Sequence, residues 1–143
     1  MIRISKSNSF LISKISSETS MVNRLIQETE TFIRRFKIRN SIDLMIVLRE
    51  VLLNAVIHGN NNIPERTVKC RIDKLEKNRF KIEVEDEGNG FDYRYLDMEI
   101  PEDPRHIRKR GYVIISALSD RIEFNSKGNR VTVYMGVNLR KKG

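Results

Sequence analysis

An apolar stretch of the chain, SIDLMIVLREVLLNAVIH at residues 41–58, contains three polar side chains spaced four residues apart: Glu50, Asn54 and His58. Gly59 and Asn60 follow directly and belong to the same group. Four-residue spacing places the three polar side chains along one side of a helix. A buried polar stripe is costly unless its groups are satisfied, and Mg²⁺ with phosphates would satisfy them. Asn54 offers the carbonyl oxygen that Mg²⁺ accepts, and Glu50 could orient or deprotonate a nucleophilic water or hydroxyl. Periodicity alone favours the plainer alternative, a stripe that faces solvent.

A second group of residues follows directly from a predicted strand, in the sequence DEGNGF at residues 86–91. Two glycines, Gly88 and Gly90, allow the backbone to turn sharply and to approach a ligand closely. Asp86, at the end of the strand, could accept a hydrogen bond from an exocyclic amine such as that of adenine. The pattern by itself also fits an ordinary turn.

A third group is basic and lies between two ordered-looking stretches. It contains Arg105, Arg108, Lys109 and Arg110, and Gly111 follows at the predicted start of a helix. Basic side chains beside a helix N-terminus form a site for anions. A solvated basic loop explains the same residues equally well.

The hydrophobic pattern predicts the elements that must position these groups. Helices are expected at 20–36 with Ser20 as N-cap, at 41–58 with Ser41 as N-cap and Gly59 as the stop, and at 111–119. Hairpins are expected from 66–74 with 79–86 and from 120–125 with 130–137, with one or two short strands within 2–16 and a long mobile loop at 93–110. This order predicts an α+β fold of two layers, a mostly antiparallel sheet with helices on one face.

Composition narrows the class of protein. The length of 143 residues suits one domain spanning 1–143, and 39% hydrophobic residues can build a core. The net charge of +8 favours a polyanionic partner or simply improves solubility. Direct nucleic-acid binding is not expected, because the sequence contains no helix-turn-helix, RNA-binding sheet motif or zinc site.

Two further features concern metal sites and cellular compartment. Cys70 is the single cysteine and is interpreted as a packing residue in a strand, and two histidines without ligand spacing do not make a metal site. The sequence has no run of 18 apolar residues, and its first residues are too broken by Ser and Lys for a secretory signal. We therefore expect a cytoplasmic protein without a membrane partner.

Together, the three groups resemble the motifs of the GHKL (histidine-kinase-like) ATPase superfamily in order and spacing. Glu50 and Asn54 match its N-box helix, and Asp86, Gly88 and Gly90 match its first glycine box. The second glycine box is matched in part by the sequence KRG at 109–111. The short chain and the Asn-Ala-x-x-His-Gly run resemble the anti-sigma-factor serine/threonine kinases within this group, over roughly residues 20–137.

The resemblance implies a Bergerat-type ATP-binding fold, a two-layer α/β sandwich, with ATP and Mg²⁺ as cofactors. It implies that Asn54 holds Mg²⁺, that Glu50 acts as general base and that Asp86 binds the adenine amine. Gly88 and Gly90 would let the backbone pass close to the base, and Gly111 would contact phosphates through its N–H. The nucleotide site would be completed by neighbours of these motifs, His58, Phe91, Arg108, Lys109 and Arg110.

The implied function is that of an anti-sigma regulatory factor, which sequesters a sigma factor and phosphorylates a STAS-type anti-anti-sigma protein. Relatives suggest a homodimer, although no residue of this sequence shows one. Two departures from the family pattern favour an alternative, a non-catalytic nucleotide-binding module that sequesters a partner. Lys109 stands where the second glycine box usually begins with glycine, and the Thr often found in the last hairpin is replaced near Arg130. A detached histidine kinase ATPase domain is a weaker alternative, because no dimerisation helix with a phosphoacceptor His is present.

Overall fold

The computed structural model describes residues 1–38, 40–90 and 107–137, with side chains from residue 112 onward in the last range. The elements, in chain order, are β1 (Ile2–Lys6), β2 (Phe10–Ser16), α1 (Thr19–Arg34), α2 (Ile42–Leu53), a π-helical turn (Asn54–Gly59), β3 (Thr67–Lys74), β4 (Arg79–Glu85), α3 (Ile107–Leu118), β5 (Arg121–Phe124) and β6 (Arg130–Gly136). Both predicted hairpins are confirmed to within one residue at each end.

The strands form one six-stranded sheet in the order β1-β2-β3-β4-β6-β5. Each described pairing is antiparallel. Helix α1 contacts β1 and β2, while α2 contacts β4 and lies between α1 and α3. The predicted α+β fold, an antiparallel sheet covered by helices on one face, is therefore confirmed.

Alternation along the strands determines which face of the sheet is buried. The inward side chains of the four central strands are Leu11, Ser13, Ile15, Val68, Cys70, Ile72, Phe80, Ile82, Val84, Val131, Val133 and Met135. They pack against the helices, whose fully buried side chains include Leu25, Phe32, Leu44, Leu48 and Leu52. Burying one such side chain contributes about 1.5–3 kcal/mol, so this layer holds the ends of α2 and β4 in fixed positions.

Two predicted helix starts are wrong. Helix α1 begins at Thr19 with extended Glu18 at the N-cap position, so Ser20 lies inside the first turn. Helix α3 begins at Ile107, four residues before Gly111. A glycine within a helix costs only about 1 kcal/mol relative to alanine, and the contact between α3 and α2 outweighs that preference.

The predicted helix at 41–58 is also modified at both ends. Ser41 occupies the N-cap position without a side-chain cap, and Asn40 instead accepts the Ile42 N–H at 2.9 Å through Oδ1. The regular helix ends at Leu53, and the chain continues as a π turn to Gly59. Among the helices described, none is both long and apolar enough to span a membrane.

Candidate functional site

The π turn brings the end of the α2 region directly against the 86–90 turn. A Cβ added at Gly59 would lie 2.1 Å from Oδ2 of Asp86, and one added at Gly88 would lie 2.1 Å from the Gly59 carbonyl oxygen. Only glycine allows this approach from either side. The first and second groups predicted from the sequence therefore meet in the structure, through Gly59.

The π turn itself is defined by hydrogen bonds that reach back five or six residues. Asn60 N–H donates to the Ala55 carbonyl at 2.8 Å, and Asn62 N–H donates to the Val56 carbonyl at 2.9 Å. Such turns widen a helix locally and are frequent at functional sites. Here the widening carries Gly59 onto the 86–90 turn.

Asp86 is held by its own turn and by the β5–β6 hairpin. Its side chain is 6% exposed, and Oδ1 accepts the Gly88 N–H at 2.8 Å. Its N–H donates to the Asn129 carbonyl at 2.9 Å, and its carbonyl accepts Asn129 Nδ2 at 3.0 Å. The Gly88 N–H thus holds the carboxylate, while Asn129 holds the backbone of the same residue.

The hairpin turn that holds Asp86 is stabilised by another asparagine. Asn125 Oδ1 accepts the N–H groups of Gly128, Asn129 and Arg130 at 2.8, 3.1 and 3.1 Å. Gly90, at φ +80°, packs so tightly here that an added Cβ would lie 1.8 Å from the Lys127 carbonyl oxygen. Sequence reasoning predicted this turn but assigned no role in the site to it.

Asn60 belongs to the first group predicted from the sequence, but its supporting role was not predicted. It is fully buried, its Oδ1 accepts the Glu87 N–H at 2.8 Å, and its Nδ2 donates to Ser17 Oγ at 2.8 Å and to the Thr67 carbonyl at 2.9 Å. All its principal hydrogen-bonding groups are thus engaged within the protein. It supports the 86–90 turn and is not available to a ligand.

The Glu87 side chain also links the 86–90 turn to the start of β3. Its carboxylate accepts the backbone N–H of Thr67 and, at 2.8 Å, the Thr67 hydroxyl. These hydrogen bonds lower the pKa of Glu87 below its ordinary value, with smaller contributions from the nearby charges of Lys14 and Arg66. The start of β3 is thereby tied to the turn that carries Asp86.

The three polar side chains along α2 and the π turn differ in their exposure to solvent. Asn54 is buried at 6% exposure, Glu50 is half-buried and His58 is exposed. The π turn alters the four-residue spacing, which explains why His58 leaves the buried side. The expectation of a polar group buried in an apolar helix therefore holds for Asn54.

Asn54 carries an unsatisfied buried group. Its Nδ2 has no hydrogen-bond partner among the described residues, although an unpaired buried donor costs about 1–3 kcal/mol. The described residues contain no cluster of three or more His, Cys, Asp or Glu side chains able to hold a metal ion. A Mg²⁺ ion held by Asn54 would therefore have one protein ligand, the carbonyl oxygen of that side chain. Phosphate oxygens and waters would supply its other ligands, which is a common arrangement for this ion.

The space beside Asp86 is small. A cavity of about 10 Å³, enough for about one water, is lined by Val51, Ala55, Val84, Asp86, Tyr112, Gly128, Asn129 and Val131. Tyr112 on α3 is 2% exposed and packs edge-on against Phe124, with ring centroids 5.4 Å apart. A purine base that entered this cavity would displace α3 and Tyr112 outward.

The third predicted group is placed differently from the expectation. Phe91, Arg105 and the rest of the predicted loop at 93–106 lie outside the described residues, as do the side chains of Arg108, Lys109 and Arg110. The backbone of these three and of Gly111 belongs to α3. Gly111 is therefore not at the helix N-terminus, because the amides of the first turn belong to the residues before it.

Comparison with known proteins found a family model and solved structures that match this chain. A family model described as histidine kinase-like ATPase domain matches residues 15–135. Among solved structures, the histidine kinase domain from Erythrobacter litoralis EL346 blue-light activated histidine kinase matches 68% of this chain at 19% sequence identity and a TM-score of 0.46. The match spans 43% of that chain, and no curated protein sequence matched. Since the family model covers most of its length, the chain belongs to the histidine kinase-like ATPase domain family.

Proposed function

We propose that this domain binds ATP with Mg²⁺ between the α2 region, the 86–90 turn and α3, and transfers the γ-phosphate to a Ser or Thr of an antagonist protein. The observation that carries the proposal is the buried Nδ2 of Asn54, one helical turn beyond Glu50: it is a hydrogen-bond donor without a partner among the described residues, and a phosphate oxygen would satisfy it. The domain would act as an anti-sigma regulatory factor, with a sigma factor and a STAS-type protein as partners. The Asn-Ala-x-x-His-Gly run and the net charge of +8 support this assignment.

Asp86 is the residue proposed to recognise the base. A carboxylate accepts hydrogen bonds, and the exocyclic amine of adenine donates them. The bonds from Gly88 and Asn129 fix Asp86 before any ligand arrives, so little ordering is needed on binding. Because Gly88 and Gly90 have no side chains, the backbone of the turn around Asp86 stays uncovered.

Asn54 is proposed to supply the protein ligand of Mg²⁺ through its carbonyl oxygen. The ion would neutralise charge on the phosphates during transfer. His58, Phe91, Arg108, Lys109, Arg110 and Gly111 remain proposed neighbours of the nucleotide. The basic residues among them would add positive charge near the phosphates.

Glu50 is proposed as the general base. Its half-buried carboxylate lies one helical turn before Asn54 and so belongs to the same side of the helix. The acceptor hydroxyl oxygen would form a bond to the γ-phosphorus while the bond to the bridging oxygen breaks, so that ADP leaves. The hydroxyl proton would pass to a carboxylate oxygen of Glu50.

Two departures from the family pattern favour the non-catalytic alternative, a nucleotide-binding module that sequesters its partner. Lys109 replaces a glycine that would help the backbone close over a triphosphate. The Thr often found in the last hairpin of the kinases is replaced near Arg130. The same experiment separates the two functions.

The experiment combines calorimetry of ATP·Mg²⁺ binding with transfer of label from γ-labelled ATP to a STAS-type antagonist. Glu50→Gln should retain ATP affinity and slow transfer by about 10²–10⁴-fold, whereas Asn54→Ala should lose Mg²⁺-dependent binding. Glu30→Gln, at a half-buried position on α1, is the matched control and should leave both unchanged. ATP binding without transfer would establish the sequestering module, and no binding heat from the native protein would overturn both functions.

A further inference from the structure

The sheet face that points away from the helices carries three cations in adjacent register positions. Arg3 on β1 is directly opposite Lys14 on β2, and Lys14 is directly opposite Lys69 on β3. Neighbouring strands lie about 4.7–4.9 Å apart, so the three side chains form a short row across the sheet. We call this row, Arg3, Lys14 and Lys69, the cationic row.

Nearby anions compensate the cationic row only in part: Glu85 is directly opposite Lys69, and Lys14 contributes to the lowered pKa of Glu87. Within the described part of the chain, none of its three side chains has a carboxylate within the 4 Å of an ion pair. Like charges directly opposite each other destabilise a sheet. The fold thus tolerates a repulsion here that a bound anion would relieve.

The carboxylates nearest the cationic row are engaged by other groups. Glu85, opposite Lys69, lies 3.5 Å from Arg130 Nη1 through its Oε1. The Glu87 carboxylate accepts two hydrogen bonds from Thr67. The unbalanced positive charge is therefore confined to β1, β2 and β3.

A groove with an apolar floor accompanies the cationic row. Its volume is about 460 Å³, and every described residue lining it belongs to β1, β2, β3 or β4. Ile12 lies within it and is 39% exposed, and the aliphatic stems of the cationic row add apolar surface beside it. Exposed apolar surface rimmed by charge is typical of sites that bind another protein.

We propose that this groove is a docking surface for an acidic segment of a partner protein. Carboxylates of the segment engage the cationic row, and an apolar side chain among them covers Ile12. A second copy of this chain is a poorer occupant than an acidic segment, because its groove carries the same excess of cations over carboxylates. A nucleic acid fits less well, because its phosphate backbone offers no aliphatic side chain to cover the exposed Ile12.

The test uses a fluorescein-labelled Glu-Glu-Leu-Glu-Glu peptide and fluorescence anisotropy at low and at physiological salt. The native protein should bind the peptide, with affinity that falls as salt rises. Lys14→Glu should weaken binding about tenfold or more, because it places a carboxylate at the centre of the cationic row. The same substitution should raise Tm, because it converts two like-charge neighbours into opposite-charge pairs. A loss of binding together with a gain in stability excludes misfolding as the cause.

Two controls separate this proposal from general electrostatics and from nucleotide binding. Arg24→Glu makes the same charge change on an exposed position of α1, in the opposite layer, and should leave peptide affinity within about twofold. Asp86→Asn should also leave it unchanged, so failure of ATP binding would not affect the result. Equal affinity for native and Lys14→Glu proteins, no binding by the native protein, or tighter binding of single-stranded DNA of equal charge would each overturn the proposal.

Discussion

Asn60 and Glu87 are joined by a hydrogen bond of 2.8 Å from the Glu87 N–H to the Asn60 side-chain oxygen, across 27 positions of sequence. The amide nitrogen of the same side chain donates to Ser17 and to Thr67. One buried side chain thus connects the end of the π turn with the segment after β2, the start of β3 and the turn carrying Asp86. The site is supported from beneath by polar contacts that the apolar core does not provide.

Asn60→Ala should destabilise the protein and also weaken nucleotide binding. The substitution leaves the Glu87 N–H and the Thr67 carbonyl without their partner, and each buried unsatisfied group costs about 1–3 kcal/mol. Because the Glu87 N–H belongs to the turn after Asp86, the carboxylate should lose its fixed position. Urea denaturation gives the first effect and ATP calorimetry the second.

Asn23→Ala is the matched control for Asn60→Ala. Asn23 is exposed on α1 and accepts one hydrogen bond from Arg49 at 2.8 Å. Loss of this hydrogen bond in Asn23→Ala should change the free energy of unfolding by no more than about 0.5 kcal/mol and leave ATP affinity unchanged. If Asn60→Ala were as mild as this control in both measurements, the supporting role of Asn60 would be wrong.

Gly59→Ala should reduce nucleotide affinity more than it reduces stability. The new methyl group would lie 2.1 Å from Oδ2 of Asp86, so the carboxylate must turn away from its present position. The clash is with a side chain and leaves the sheet and core intact. Calorimetry with ATP and thermal unfolding should be compared with Glu65→Ala, a change at an exposed position shortly after the π turn. Native ATP affinity in Gly59→Ala would show that Asp86 does not contact the base.

Much of the fold was predictable because each element carries its own periodic signal. Inward residues such as Val68, Cys70 and Ile72 alternate with outward ones, so the strands could be located from a period of two. The start of α3 could not be located in this way, because Gly111 resembles a helix boundary. Only the packing of α3 against α2 overrides that local preference. Local signals determine the elements, whereas tertiary contacts determine where a weakly marked element begins.

The site was predictable only in the residues of its motifs. Glu50, Asn54 and Asp86 stand at informative spacings, but Asn60 and Asn129 occupy turns in which asparagine is common for local reasons. Their roles depend on contacts to residues 27 and 43 positions away, and no local pattern encodes such contacts. The π turn was hidden for the same reason, since its sequence resembles the last turn of an ordinary helix.

ATP·Mg²⁺ should change the hydrogen-exchange protection of α3. The cavity that Asp86 and Tyr112 line together is too small for a purine, so a base that enters it should shift Tyr112 and the helix that carries it. Amide exchange in Ile107–Leu118 should therefore differ between free and bound protein, while amides of β1 and β2 should exchange equally in both. Unchanged protection of α3 under conditions where calorimetry shows saturation would place the nucleotide elsewhere.

Cys70 should be unreactive towards thiol reagents in the native protein. It is buried in β3, and that burial raises the pKa of its thiol from 9.0 to about 12, so almost no thiolate forms at pH 8. Iodoacetamide should modify it only as fast as the protein opens, and rapidly in urea. Modification of the folded protein at the rate of a free thiol would contradict the burial of Cys70.

The same raised pKa predicts how stability depends on alkaline pH. The folded protein keeps the Cys70 proton more tightly than the unfolded chain, so this contribution is complete below pH 9.0 and is lost as the pH rises towards about 12. Over that interval the native protein should lose stability relative to Cys70→Ala, by about 1 kcal/mol per pH unit, because the variant lacks the titrating group. Urea denaturation of both proteins at matched pH values isolates the effect, because the other alkaline groups titrate equally in each. Parallel pH profiles for the two proteins would show that the Cys70 thiol ionises as easily in the fold as in the unfolded chain.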